Sequence, residues 1–182
     1  FVSILRGSSF DIIVLLSTFL LTVFVDLTVA IEIGVVLSSL LFMKRMADIG
    51  IKTPSQIDSD VLEDYSYLPE GISVYEISGP FFFASAKQYS EVIKNIGLKS
   101  KILIIRMRHV PFVDSTALHN FEETIKTLQD SDIKLLLSGV NASVHKDLKK
   151  HKITSLIGEE NILDSFDKAL KHAKNINFTN PL

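Results

Sequence analysis

Three sets of residues in this chain have types and spacings that could carry chemistry. The first is Asp114-Ser115-Thr116. These short oxygen-bearing side chains follow an apolar run, Ile102 to Ile105, and precede Leu118, Phe121, Ile125 and Leu128, which share one helical face at steps of three, four and three. The pattern predicts a buried strand over Lys101 to Met107, a turn, and a helix opening at Asp114-Ser115. Oxygens at that point can cap free backbone N–H groups. The positive end of the helix dipole also favours an anion, including a phosphate made covalently on Ser115 or Thr116. Helix capping alone accounts for the three residues; a regulatory or partner-docking loop built on the cap is the sharper alternative. The second set is Asp26 and Glu32, two acids inside an apolar stretch. The third is a basic cluster, His145, Lys146, Lys149, Lys150, His151 and Lys152. It reads as a solvated helix face, with inner-leaflet lipid or an acidic protein as the alternative partner.

Other chemistry has no support. The chain has no cysteine, which excludes disulfides and thiolate metal sites. The five histidines show no paired ligand spacing, so no metal is expected. Neither Gly-rich phosphate-binding motif is present, and no cofactor is expected. A net charge of −2 gives no reason to propose nucleic acid as a partner. No nucleophile–base or paired-carboxylate arrangement is legible, so the expectation is a protein that is not an enzyme.

Mean hydropathy is +0.30, and the apolar excess lies before Lys44. Phe10 to Met43 is a run of about 34 residues, about 51 Å as one helix, against a hydrocarbon core of roughly 30 Å. A carboxylate at mid-membrane costs on the order of 3 kcal/mol. A hairpin turning near Asp26 eases both problems. Ser8-Ser9-Phe10-Asp11 has the form of a capping box for a first helix ending near Val25, and a second helix runs from about Leu27 to Met46. Asp26 then caps the second helix and Glu32 lies in its early turns, unless the two acids line an ion pathway. Arg6 before the hairpin and Lys44, Arg45 and Lys52 after it place both ends, and the tail, on the cytoplasmic side. Because the sequence starts at Phe1 and turns hydrophobic at once, it reads as the C-terminal fragment of a longer membrane protein; a signal peptide does not fit.

Residues 47–71 read as a solvated connector, with scattered Asp48, Asp58, Asp60, Glu63 and Asp64 between the breakers Pro54 and Pro69; Val61, Leu62, Tyr65 and Tyr67 could dock a short piece on a neighbour. Residues 72–175 suffice for one compact domain, with 176–182 as a tail. Strands are expected at Ser73 to Ile77, Phe81 to Phe83, Lys101 to Met107 and Lys134 to Ser138. Helices are expected at Ser85 to Ile96, stopped by Gly97, then after Asp114, at Ala142 to Lys150 and at Ser165 to Ala173. The short Gly79-Pro80 turn predicts an antiparallel opening pair, and hence an α/β fold with a mixed sheet. The three consecutive phenylalanines read as core.

Val110-Pro111-Phe112-Val113-Asp114-Ser115-Thr116-Ala117-Leu118 resembles the signature loop of the STAS domain, found in anti-sigma-factor antagonists and in the tails of sulfate-permease (SulP) anion transporters. The antagonists' phosphorylatable serine maps onto Ser115. The glycine common two residues later is replaced here by Ala117. Thr18 to Met46, with Asp26, Glu32, Gly34 and Phe42-Met43-Lys44-Arg45 in that order, resembles the last two membrane helices of SulP transporters. The resemblance implies a membrane hairpin followed by a cytoplasmic STAS domain, in a homodimeric secondary transporter of sulfate, bicarbonate or a dicarboxylate. The anion site would lie mostly upstream of Phe1, and the tail would support assembly and regulation, with a cytoplasmic protein partner near Asp114 and Ser115. The alternative is a membrane-tethered STAS switch phosphorylated at Ser115.

Overall fold

The computed structural model describes residues 9–50 and 68–179. Arg6, Ser8, Lys52, Pro54 and the connector residues from Asp58 to Tyr67 lie outside them. The chain falls into two compact units, one ending at Met46 and the other starting at Ala47.

The first unit is two helices, α1 (Ser9–Phe24) and α2 (Leu27–Gly50). The break falls at Val25-Asp26, where the sequence pattern puts the turn. Leu27–Met46 is long and apolar enough to cross a membrane, with a mean hydropathy of 1.8; Ile12–Phe24 is apolar but shorter. The large apolar side chains point outward: Phe24 is 79% exposed and Val35 62%. Between the helices the surfaces are small. A Cβ on Gly34 would come within 2.6 Å of Thr18 Cγ2, so glycine is what allows α2 to touch α1 at that level. The hydroxyls of Thr18, Thr22 and Ser39 donate to carbonyls of their own helices, which satisfies them without water.

The second unit is an α/β domain. Its strands β1 (Ile72–Ser78), β2 (Ile102–His109), β3 (Lys134–Ser138) and β4 (Ile162–Leu163) stand in the order β1-β2-β3-β4. Every pairing among them is parallel, so the expected mixed sheet is corrected. The error lies in the phenylalanine triplet. After β1 the chain turns at Gly79, whose φ is +97°, and runs straight into α3 (Phe83–Gly97). Phe81 makes only an isolated parallel bridge to Val113. Parallel neighbours need a crossover, and α3 is that crossover. The core reading of the triplet holds for two members: Phe81 and Phe82 are buried, but Phe83 is 55% exposed.

Helices α3 and α4 (Ser115–Gln129) cover one sheet face. The predicted α4 stripe of Leu118, Phe121, Ile125 and Leu128 is fully buried. Phe81 stacks edge-on against both Tyr89 and Phe121, at 5.5 and 5.8 Å between ring centres, and so links α3 to α4. Helix α3 ends where the sequence puts its stop, at Gly97. That glycine is the last helical residue, and a Cβ there would meet Leu128 Cδ2 at 2.5 Å; its role is close approach to α4. Helix α5 (Ala142–Lys150) has the predicted limits, followed by α6 (Ile153–Ile157) and a 3-10 turn (Glu159–Asn161), neither of which the pattern indicates. Helix α7 (Phe166–Thr179) covers the opposite sheet face with Ala169, Leu170 and Ala173.

Candidate functional site

The site is built from the loops that leave the C-terminal ends of β1, β2 and β3, the edge where parallel sheets most often present ligand-contacting groups. Asp114 is the N-cap of α4: its Oδ1 accepts a hydrogen bond from the Ala117 N–H at 2.8 Å. Its other oxygen, Oδ2, accepts from the Phe83 N–H at 2.9 Å, in the first turn of α3. One carboxylate therefore answers free donors of two helices, the residue type and position that capping requires. The backbone reinforces this: the Asp114 N–H donates to the Phe81 carbonyl, and the Phe81 N–H to that of Phe112. Ser85 closes the start of α3, accepting from the Phe82 N–H at 3.2 Å.

The third loop is tied in by Asn141. Its Oδ1 accepts from the Val144 N–H to cap α5, and its Nδ2 donates to the Val110 carbonyl at 2.7 Å. The three loops thus form one hydrogen-bonded platform.

Ser115 and Thr116 sit on that platform at the first two positions of α4, both exposed, and neither hydroxyl makes a hydrogen bond among the described residues. The cap belongs to Asp114 alone; Ser115 does not share it. A solvent-facing hydroxyl in the first turn of a 15-residue helix is open to an incoming group, and the dipole there favours added negative charge. Ala117 is fully buried beneath it.

Sequence reasoning missed two features of this edge. One is an aromatic surface: Phe83 and Phe112, 55% and 48% exposed, flank the buried Phe82 at ring distances of 5.3 and 6.4 Å. The available signal was alternation, because Phe112 lies between Pro111 and the buried Val113 in extended chain. The other is an ionic knot on the α7 side. Glu76 Oε1 accepts from Arg108 Nε at 2.9 Å and lies 3.2 Å from His109 Nδ1, while Oε2 lies 3.6 Å from Arg106. Arg106 is only 3% exposed and stacks over the Phe166 ring at 4.7 Å. Parallel pairing of Glu76 with Arg106 creates this contact, 30 residues apart in sequence. Two tyrosines complete the interior: Tyr89 donates to the Ser78 carbonyl at 2.8 Å, and burial pushes the Tyr75 hydroxyl up to about 12.

In the first unit Asp26 Oδ1 accepts from the Thr28 N–H at 2.7 Å, and the Asp26 carbonyl from the Ala30 N–H, so Asp26 caps α2. Glu32 is exposed one to two turns further on. Asp26 and Glu32 belong to the first unit and Asp114 to the second. Among the described residues no cluster of three potential metal ligands occurs.

Comparison with known proteins agrees with this geometry. The STAS domain family model matches residues 67–169. The STAS domain of a SulP transporter from Vibrio cholerae is 38% identical, with a TM-score of 0.56, covering 63% of this chain and 90% of that one. That relative was solved as a separate domain, so the fold stands alone there. The bicarbonate transporter BicA of Picosynechococcus is 26% identical over 170 residues, which is 88% of this chain and 30% of that protein. Murine Solute Carrier 26 family member A9 matches 93% of this chain and 29% of its own length, at 20% identity and a TM-score of 0.72, and so shares the fold. The chain spans about a third of the length of the curated relatives it matches. Taken with the parallel sheet and the doubly capping Asp114, these matches place the chain in the STAS domain family, in the branch of the SulP transporters.

Proposed function

We propose that the chain is part of a secondary transporter of an inorganic anion of the sulfate or bicarbonate class, with its STAS domain on the cytoplasmic side. The observation that carries this reading is the joining, in one polypeptide, of an apolar helical hairpin to a STAS domain, matched along 88% of the chain by a bicarbonate transporter. The relatives matched along most of the chain are named as transporters and not as enzymes, which favours transport over the tethered-switch alternative.

In this reading α1 and α2 form a membrane hairpin that turns at Asp26, and Lys44 and Arg45 mark the cytoplasmic end of α2. Asp26 works as a turn and cap. The anion site is formed mostly by helices not in this sequence. The platform around Asp114 serves assembly of a homodimer and regulation of transport, with Ser115, and next to it Thr116, as the residue that a kinase would modify or a cytoplasmic partner would contact.

The test is anion uptake by the intact transporter in vesicles, with sulfate and bicarbonate as competitors. Uptake of one, inhibited by the other or by close analogues, supports the reading. A protein that inserts in the membrane but moves neither anion overturns it.

A further inference from the structure

The basic cluster singled out in the sequence is not absorbed by transport or by the Asp114 platform. Lys146, Lys149 and Lys150 project from α5, and Lys152 follows before α6. All four are exposed, and none makes a side-chain hydrogen bond or ion pair among the described residues. Lys126 and Lys168 show the contrast: the first is bound by Glu122 at 2.8 Å, the second by Asp164 at 2.6 Å. Asp147 is the one acid between Ala142 and Ile153. Two acids from other elements approach the cluster, and both meet its histidines: Glu159 lies 3.5 Å from His145, and Glu122, bound to Lys126, is within electrostatic reach of His151. The underside of α5 is fixed, because Val144 and Leu148 are fully buried, so the lysines stand on a rigid base.

We infer that the α5–α6 lysine face docks on an anionic lipid surface. Two observations favour a bilayer over an acidic protein. The stretch 142–153 contains neither arginine nor an aromatic residue. Protein interfaces concentrate those types and deplete lysine, whereas attraction to a charged lipid surface needs only cations on long flexible stems. The domain is also tethered. The chain from Met46 to Ile72, even if fully extended, reaches no further than about 90 Å, so the domain stays close to whatever bilayer holds α2. The inference rests on the proposed function only in placing a bilayer there; it does not depend on which anion crosses.

The test uses residues 68–182, the counterpart of the separately solved Vibrio cholerae domain, sedimented with vesicles. Vesicles of phosphatidylcholine alone are compared with vesicles that also contain phosphatidylglycerol. Binding is expected only to the second, and to weaken steeply with added salt. Each Lys→Gln substitution among the four should weaken it roughly fivefold, and the quadruple variant by a hundredfold or more. Lys87→Gln with Lys99→Gln, exposed lysines elsewhere, should leave binding unchanged. A thermal melt checks that each variant is folded. Equal binding to both vesicles, or a folded quadruple variant that binds like the parent, overturns the inference. So does lysine-dependent binding to polyglutamate in the absence of binding to anionic vesicles, which assigns the face to an acidic protein. Because no transport is measured, none of these outcomes bears on the uptake test.

Discussion

Gly34 and Gly97 occupy equivalent points in two helix pairs with opposite surroundings. In the hairpin, Gly34 lets α2 reach Thr18 of α1; in the STAS domain, Gly97 lets α3 reach Leu128 of α4. Both contacts follow one packing rule, absence of a Cβ where backbones come close. What differs is where the large apolar side chains go. In α1 and α2 most stay exposed, as with Phe24 and Val36; in α3 and α4 they are buried, as with Tyr89 and Phe121. The STAS helices are held by burial of apolar surface from water. The hairpin helices meet through small and hydroxyl-bearing residues, the arrangement suited to lipid, where apolar surface gains little by leaving the surroundings. Each unit also uses an aspartate as helix cap, Asp26 for α2 and Asp114 for α4.

The contrast can be broken most forcefully at Phe121. Phe121→Ala should destabilise the STAS domain by about 3–5 kcal/mol in a urea melt, since the ring is fully buried against Phe81. The glycines come next. Gly97→Leu should cost about 2–3 kcal/mol through overpacking against Leu128. Gly34→Leu should leave the domain's melt unchanged and lower the yield of monodisperse full-length protein in detergent. If Gly34→Leu is tolerated there, the two contacts are not equivalent.

Alkaline pH separates the units chemically, because Tyr75 and Tyr89 lie in the STAS domain and residues 9–50 contain no tyrosine. Burial raises the Tyr75 hydroxyl from 10.0 to about 12 and pushes that of Tyr89 up as well. A raised folded-state value means that the folded form keeps its proton after the unfolded form has lost it. Stability is therefore whole below pH 10 and falls as the pH rises toward 12, by about 2–3 kcal/mol for Tyr75. Denaturant melts across that window should show the loss, and Tyr75→Phe should reduce it.

The smallest effects test the platform. Asp114→Ala should cost about 1–2 kcal/mol, and Asp114→Asn much less. Ser115→Ala should stay within about 0.5 kcal/mol, because its hydroxyl faces solvent. A loss from Ser115→Ala as large as that from Asp114→Ala would give the serine a structural role that its geometry does not.

Much of this was legible in sequence, for identifiable reasons. The break at Asp26 follows from an apolar run too long for one crossing. The limits of β3 and α5 coincide with their patterns because Gly139, a left-handed turn, and Asn141, a cap, punctuate them. The α4 stripe was visible at helical spacing. What escaped was short or non-local. Helix α6 has five residues and β4 two, below the length at which periodicity speaks. Three phenylalanines in a row suit a strand by propensity, but tertiary packing starts α3 there. The pairing of Arg106 with Glu76 and the bond from Phe83 to Asp114 each cross about 30 residues, and only the sheet register creates them.

The two-pronged grip of Asp114 has a kinetic consequence. The amide protons of Phe83 and Ala117 lie at the starts of different helices yet depend on the same side chain. Their exchange with deuterated solvent should therefore accelerate together when that side chain is lost, and the two helix starts should fray in concert.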